Sequence, residues 1–251
     1  MREASIDVHN RNRQRENRSS LPDGATLAGR KRNCWPDQII EIVYRGAVDV
    51  LRSCSTEHGL KGSALANGHR EVWARDSMIA ALGGTLVNDE AVRSALQHSV
   101  ATLRRHQTPL GAIPNHVDPA AGRTSFRAYA DAGLWFVIGS TILAPDLASI
   151  GRALHWYEYQ DVDSSGVLSM QEAADWQDLF CVRGKTLYLN CLYVAALRRA
   201  AGIAAEAGDQ VKAESWRARS NAVAKKVNEL FWYQGDGDTL RHVSHSFSTP
   251  D

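Results

Sequence analysis

Helical periodicity, broken alternately by short and long connections, constrains this chain more than any other feature. Apolar residues recur at three- and four-residue steps in seven segments, which predicts seven helices. The first spans about Pro36 to Glu57, with Ile39, Ile40, Val43, Ala47, Val50 and Leu51 in phase and Pro36 suited to the first turn. The second follows Trp73, with Asp76 or Ser77 near its start and Met78, Ile79, Ala81 and Leu82 inside. The third runs from about Asp89 to His106, and the fourth starts near Asp131. The fifth covers about Pro145 to Tyr159, the sixth Lys185 to Ala207, and the seventh Asp209 to Trp232. Brief turns join the second helix to the third, the fourth to the fifth and the sixth to the seventh. Long connections, Gln107 to Tyr129 and Asp161 to Arg183 among them, separate these pairs. A loop of about twenty residues in a compact domain is usually functional or disordered, and the apolar residues of Gln107 to Tyr129 favour function. Only a small hairpin around Ser164 to Leu168 reads as strand. The predicted class is all-α, with helical hairpins in a ring whose long loops share one rim.

The rest of the composition narrows the function classes. The 251 residues hold 29 Lys and Arg against 28 Asp and Glu, a formal net charge of +1. That balance makes no electrostatic case for nucleic acid or a membrane surface as partner. The longest uncharged apolar stretch, Ala132 to Ala144, is shorter than the roughly 18 residues a membrane span needs, so it reads as a core helix. Residues 1–33 are basic and poor in large apolar side chains, and are expected to be a disordered tail. Removing them leaves 21 basic and 24 acidic residues. Residues 34–251 are expected to form one domain. None of Cys34, Cys54, Cys181 and Cys191 sits in a C-x-x-C pair, which reads as reduced thiols in a cytoplasmic protein. After Trp232 the chain turns and runs extended to Asp251, with no helix to close the fold, which reads as an interrupted chain. His242 and His245 in that run make a weak metal pair.

Three constellations carry candidate chemistry. The first is Glu71-Val-Trp73-Ala-Arg75-Asp76. An arginine fork beside an aspartate can bracket vicinal hydroxyls, with Trp73 as a stacking wall. An N-cap aspartate beside an incidental arginine reads equally well. The second is Gly111-Ala-Ile-Pro114-Asn115-His116-Val-Asp118, followed by Tyr129-Ala-Asp131 and Leu134-Trp135-Phe136. Asn115, His116, Asp131 and Trp135 make a polyol-binding rim, although Asp131 could be only an N-cap and Trp135 only core. The third is Glu172-Ala-Ala-Asp175-Trp176-Gln177-Asp178, leading to Arg183-Gly184-Lys185. A carboxylic acid beside a tryptophan and a second negative charge tends to hold its proton, which suits a general acid.

Residues Asp161 to Glu172 also satisfy the spacing of a calcium loop, with carboxylates at its first, third and twelfth positions and Gly166 at the sixth. The match is single and no long helix follows it. A tight Asp/Gly turn leading into the acidic loop is the default reading, and no metal or other cofactor is expected.

In this order and spacing, the three constellations resemble the amylo-1,6-glucosidase domain of glycogen debranching enzymes. More broadly they resemble the six-hairpin glycosidases. The matching pieces are Trp73-Ala-Arg75-Asp76, Ile113-Pro114-Asn115, Tyr129-Ala-Asp131 with Leu134-Trp135-Phe136, and Asp175-Trp176-Gln177-Asp178 leading to Arg183-Gly184-Lys185-Thr-Leu-Tyr188-Leu-Asn190. The resemblance implies an (α/α)6 barrel of twelve helices, of which about seven are present here. It implies that Arg75 and Asp76 hold hydroxyls of a terminal sugar. Asp178 is implied as the general acid, with Asp175 the less favoured choice. Asn115, His116, Asp131, Trp135, Trp176, Arg183 and Lys185 join Trp73 as substrate-binding residues. The implied reaction is inverting hydrolysis of an α-glucosidic bond in an oligosaccharide or polysaccharide, with the catalytic base expected beyond residue 251. The acid and base of such a pair stand about 6.5–9.5 Å apart. A non-catalytic carbohydrate-binding or scaffold protein on a decayed barrel, and a calcium-binding helical protein through residues 161–172, are the alternatives.

Overall fold

The computed structural model describes residues 37–126, 130–177, 182–232 and 246–247. The expected tail (1–33), Tyr129, Asp178, His242 and His245 lie outside the described residues. The chain divides into two compact units, residues 1–44 and 45–251. The described part of the first is residues 37–44, the opening of helix α1 (Asp37–Cys54). The remaining elements belong to the second.

The described residues are mostly helical, and their seven helices fall close to the predicted spans. After α1 come α2 (Ala74–Gly84), α3 (Glu90–Arg105), α4 (Ala132–Leu143), α5 (Leu147–Glu158), α6 (Leu187–Glu206) and α7 (Gln210–Phe231). Four of them start at side-chain caps. Asp89, Asp146, Thr186 and Asp209 each accept a hydrogen bond from the backbone N–H three residues on, satisfying a donor that the helix itself leaves open. α2 and α4 differ: neither Trp73 nor Asp131 makes a side-chain cap bond. Asp131 thus holds the N-cap position of α4, as one sequence reading allowed, but its side chain does not cap the helix.

The connections alternate as the sequence indicates. Residues 85–89, 144–146 and 207–209 close the pairs α2–α3, α4–α5 and α6–α7, whereas residues 55–73, 106–131 and 159–186 lead into α2, α4 and α6. α2 packs on α4 and α4 on α6, while α7 lies along α6. The core between them is apolar and sealed: Met78, Leu134, Phe136, Leu189, Tyr193 and Leu197 are all fully buried. The uncharged stretch that forms α4 supplies much of it. Among the described residues no helix is long and apolar enough to cross a membrane.

Two glycines set how closely these pieces approach. A Cβ at Gly139 of α4 would stand 2.1 Å from Met78 Sδ and 2.9 Å from Met78 Cβ, so α2 and α4 meet at a distance that only glycine permits. Gly111 has φ +103° and sits against the backbone of α5, where a Cβ would lie 1.9 Å from the Arg152 carbonyl oxygen. This closeness fastens the 107–115 segment to α5. The Gln107 amide reinforces it by donating to the carbonyls of Gly111 and Ser149.

Short strands occur where the sequence shows none. β1 (Ser55–Thr56) pairs with β2 (Gly59–Leu60). β3 (Val72–Trp73), β4 (His116–Asp118) and β5 (Arg123–Ser125) form a three-stranded antiparallel sheet. β6 (Lys185–Thr186) pairs with β7 (Ser246–Phe247). Strands of two or three residues are too short to display an alternating pattern. The expected hairpin at Ser164 to Leu168 is absent. Instead, the Asp161 carboxylate accepts the Gly166 N–H (2.9 Å) and closes a turn in which Ser164 (φ 55°) and Gly166 (φ 85°) are left-handed. Asn190 of α6 then holds Leu168 by its backbone, accepting from the Leu168 N–H (2.7 Å) and donating to its carbonyl (3.0 Å). The expected apolar stripe of α1 is also revised, for Ala47 and Val50 are exposed while Val48 and Cys54 are buried.

The close α2–α4 contact yields a stability contrast. Gly139→Ala should lower unfolding stability by about 1–3 kcal/mol through overpacking. Gly202→Ala, at a position in α6 with open space around it, should raise stability by up to about 1 kcal/mol. Urea unfolding of the two variants checks both signs.

Candidate functional site

The uncapped start of α4 is where candidate residues gather. The Asp131 side chain is 1% exposed, and its Oδ2 accepts two hydrogen bonds. One comes from Arg75 Nη1 in the first turn of α2 (3.0 Å), the other from the Tyr188 hydroxyl in the first turn of α6 (2.9 Å). The Tyr188 oxygen in turn accepts the Trp135 indole N–H of α4 (2.9 Å). One carboxylate oxygen thus ties the starts of three helices together, at the end of the unit where the long connections arrive. Asp131 Oδ1 is equally buried and has no hydrogen-bond partner among the described residues.

Burial sets the electrostatics of this cluster. It pushes the Asp131 carboxyl above the usual carboxylate range, against the Arg75 guanidinium and the Tyr188 hydroxyl, which pull it down. The charge of Asp175 adds to the upward push. Tyr188 is raised above the ordinary phenol value, by burial first and then by the Asp131 charge, so it stays a donor at neutral pH. Asp76 is exposed, and its charge favours the Arg75 cation.

The second constellation supplies an aromatic wall beside this cluster. β3 and β4 pair Trp73 with His116, and their rings tilt together with centroids 4.3 Å apart. His69 meets the other edge of Trp73 at 5.2 Å, and the Trp73 indole N–H points to Glu71 Oε2 at 3.4 Å. Glu71 is held below the usual range by its own backbone N–H, against burial, with help from Trp73, His116 and His69. Burial lowers the His116 imidazole. Asn115 is buried. Its carbonyl accepts the Ala74 N–H (2.9 Å), and its amide lies 3.4 Å from His116 Nδ1. The sheet therefore fixes the entry of α2, and with it Arg75.

The third constellation is divided. Its described part lies against the cluster, because the Ala130 N–H donates to the Ala174 carbonyl (2.6 Å), joining the residues just before Asp131 and Asp175. Asp175 is buried and its Oδ1 accepts the Gln177 N–H (2.7 Å). Trp176 is half exposed and meets Tyr188 edge-on at 6.5 Å. Asp178 lies outside the described residues. Arg183 and Lys185 each pair with a carboxylate, Arg183 with Glu172 (3.8 Å) and Lys185 with Asp163, whose carboxyl the lysine holds down at about 2. These pairs brace the 161–185 connection. Among the described residues, no three His, Cys, Asp or Glu side chains converge as a metal site. The carboxylates of the calcium-like loop are spread over Gly166, Ser165, Lys185 and Arg183.

Arg75, Asp76, Asp131, Trp135, Asp175 and Trp176 thus come together, with Trp73, Asn115 and His116 alongside. Sequence reasoning did not single out Tyr188, Glu71 or His69 as site residues. Tyr188 carried a usable signal, since it is the second residue of α6 as Arg75 is of α2. No protein-family model matches the chain, and no curated protein matches it.

Two measurements test the carboxylate tie. Tyr188→Phe removes one donor from a buried carboxylate and should cost about 1–3 kcal/mol of unfolding stability. The pH dependence has a defined sign. A folded carboxyl raised above its unfolded value of about 3.9 contributes most at low pH, and the contribution is lost as pH rises through the folded value. The stability of the wild type relative to Asp131→Asn should therefore decline from pH 3.5 or so towards neutrality, as read by denaturant titrations across pH.

Proposed function

We propose that this chain carries helical hairpins of a six-hairpin glycoside hydrolase domain of the debranching type. In this reading it hydrolyses an α-glucosidic bond of an oligosaccharide or polysaccharide in the cytoplasm, with inversion. The observation that supports it is the meeting of Arg75, Asp131 and Tyr188 at the starts of α2, α4 and α6. That is where inner helices of an (α/α)6 barrel would present a sugar-binding rim. α3, α5 and α7 would then be outer helices.

The residues take distinct roles. Arg75 and the exposed Asp76 hold neighbouring sugar hydroxyls, one as donor and the other as acceptor. Asp131 is too deeply buried to touch a ligand, so it serves as the anchor that aims Arg75. Trp73 stacked on His116, together with Trp135 and the half-exposed Trp176, offers flat apolar faces to the pyranose ring, and Asn115 fixes the backbone beneath. Asp178 protonates the departing glycosidic oxygen, with Asp175 the second candidate. A separate carboxylate activates water on the opposite face of the ring.

The test is reducing-sugar release from branched glucans, using the gene product with any coding sequence that follows residue 251. Asp178→Asn should lower the rate by about 10²–10⁴-fold, as expected for loss of a general acid. Arg75→Ala should act mainly through weakened substrate binding. An unchanged rate in Asp178→Asn would remove it as the acid. Sugar binding without turnover by the wild type would instead favour the decayed-barrel reading.

A further inference from the structure

A concavity of about 410 Å³ lies between the β1–β2 turn, the segment leading to β3 and the β4–β5 turn. None of its lining residues belongs to the Arg75 cluster. Its polar lining includes two cations, Lys61 and Arg70, together with His58, Thr56 and Asp118. Lys61 has no carboxylate partner among the described residues. Arg70 gives one N–H to the Ala66 carbonyl (3.0 Å) and has no described carboxylate partner either. The nearest acid to His58 is Glu57, at 3.7 Å. Elsewhere on the same unit Arg93, Lys212 and Lys226 each hold a carboxylate within 3.1 Å, whereas the exposed Arg105, Arg198, Arg199 and Arg217 pair with none among the described residues. Lys61 and Arg70 differ from these in lining one concavity together.

One carboxylate, Asp118, lines the concavity, and it is already satisfied. Its Oδ1 accepts the Ala121 N–H (3.0 Å) and its Oδ2 accepts from Arg123 (3.2 Å). The remaining surface is apolar, with Leu65 and Pro119 beside the cations. Leu65 is 69% exposed, a large aliphatic side chain left open next to two charges. The volume exceeds what a bare inorganic anion fills, so the apolar wall has room for an organic group.

We infer that this concavity is a binding site for a phosphomonoester dianion. Lys61 and Arg70 take the phosphate oxygens, and Leu65 and Pro119 take the attached organic group. Two cations that line one concavity, neither with a carboxylate partner among the described residues, match a doubly charged ligand. The site is independent of the sugar-binding reading, because it shares no residue with it.

The experiment is a calorimetric titration of the full chain with phenyl phosphate, inorganic phosphate and benzoate. Phenyl phosphate should bind more tightly than inorganic phosphate, and its binding should weaken with added salt. Lys61→Ala and Arg70→Ala should each weaken it by about tenfold, because each removes a charge-assisted contact. Leu65→Ser should weaken phenyl phosphate and leave inorganic phosphate unchanged. Arg93→Ala should change nothing. The substituted side chains are at most partly buried, and melting curves will show that each variant keeps its fold. Three results would overturn the assignment: no phenyl phosphate binding at about 10 mM, a Lys61→Ala/Arg70→Ala double variant that binds like wild type, or benzoate binding as tightly as phenyl phosphate.

Discussion

A single buried carboxylate holds the second unit in register. Asp131 gives up the local bond that would have capped α4 and spends one oxygen on two partners from other helices. Removing a carboxylate from water is unfavourable unless it is paired, and here the pairing comes from residues 56 and 57 positions away in the chain. α2, α4 and α6 can only meet that demand with their first turns side by side. The apolar packing of Met78, Phe136 and Leu197 stabilises the same arrangement, and the close seating of Met78 on Gly139 agrees with the register the carboxylate sets.

The described parts of the long connections are held by contacts of their own. Each is pinned by a few local contacts. The β3–β4–β5 sheet fixes the path into α2. Gly111 and Gln107 fasten the path out of α3 against α5. Asn190 and the Lys185–Asp163 pair fasten the path into α6. Loops held this way can present side chains to a ligand with little ordering left to do on binding.

The helices were legible because a buried stripe repeats often enough to be seen over 11 to 22 residues. The caps Asp89, Asp146 and Asp209 sit where the pattern begins, which explains the close agreement of the boundaries. The strands were not legible, because two or three residues hold no period. α1 misled for a different reason: its stripe is real, but which stripe is buried depends on neighbours the periodicity does not name. In the candidate site, Arg75, Asp131 and Trp135 could be named from residue type and position. That Asp131 is an anchor and Tyr188 its second donor could not, since both facts depend on contacts between distant parts of the chain. The pairing of Arg183 with Glu172 and of Lys185 with Asp163 is of the same kind.

The alternation of connection lengths has a practical side. Residues 85–89, 144–146 and 207–209 close the helix pairs at the end remote from Asp131. Of these, Leu86 is almost fully open to solvent and Gly208 stands in open space. That end is where the polypeptide can be cut, lengthened or fitted with a reporter group, leaving the carboxylate and its donors out of reach of the alteration.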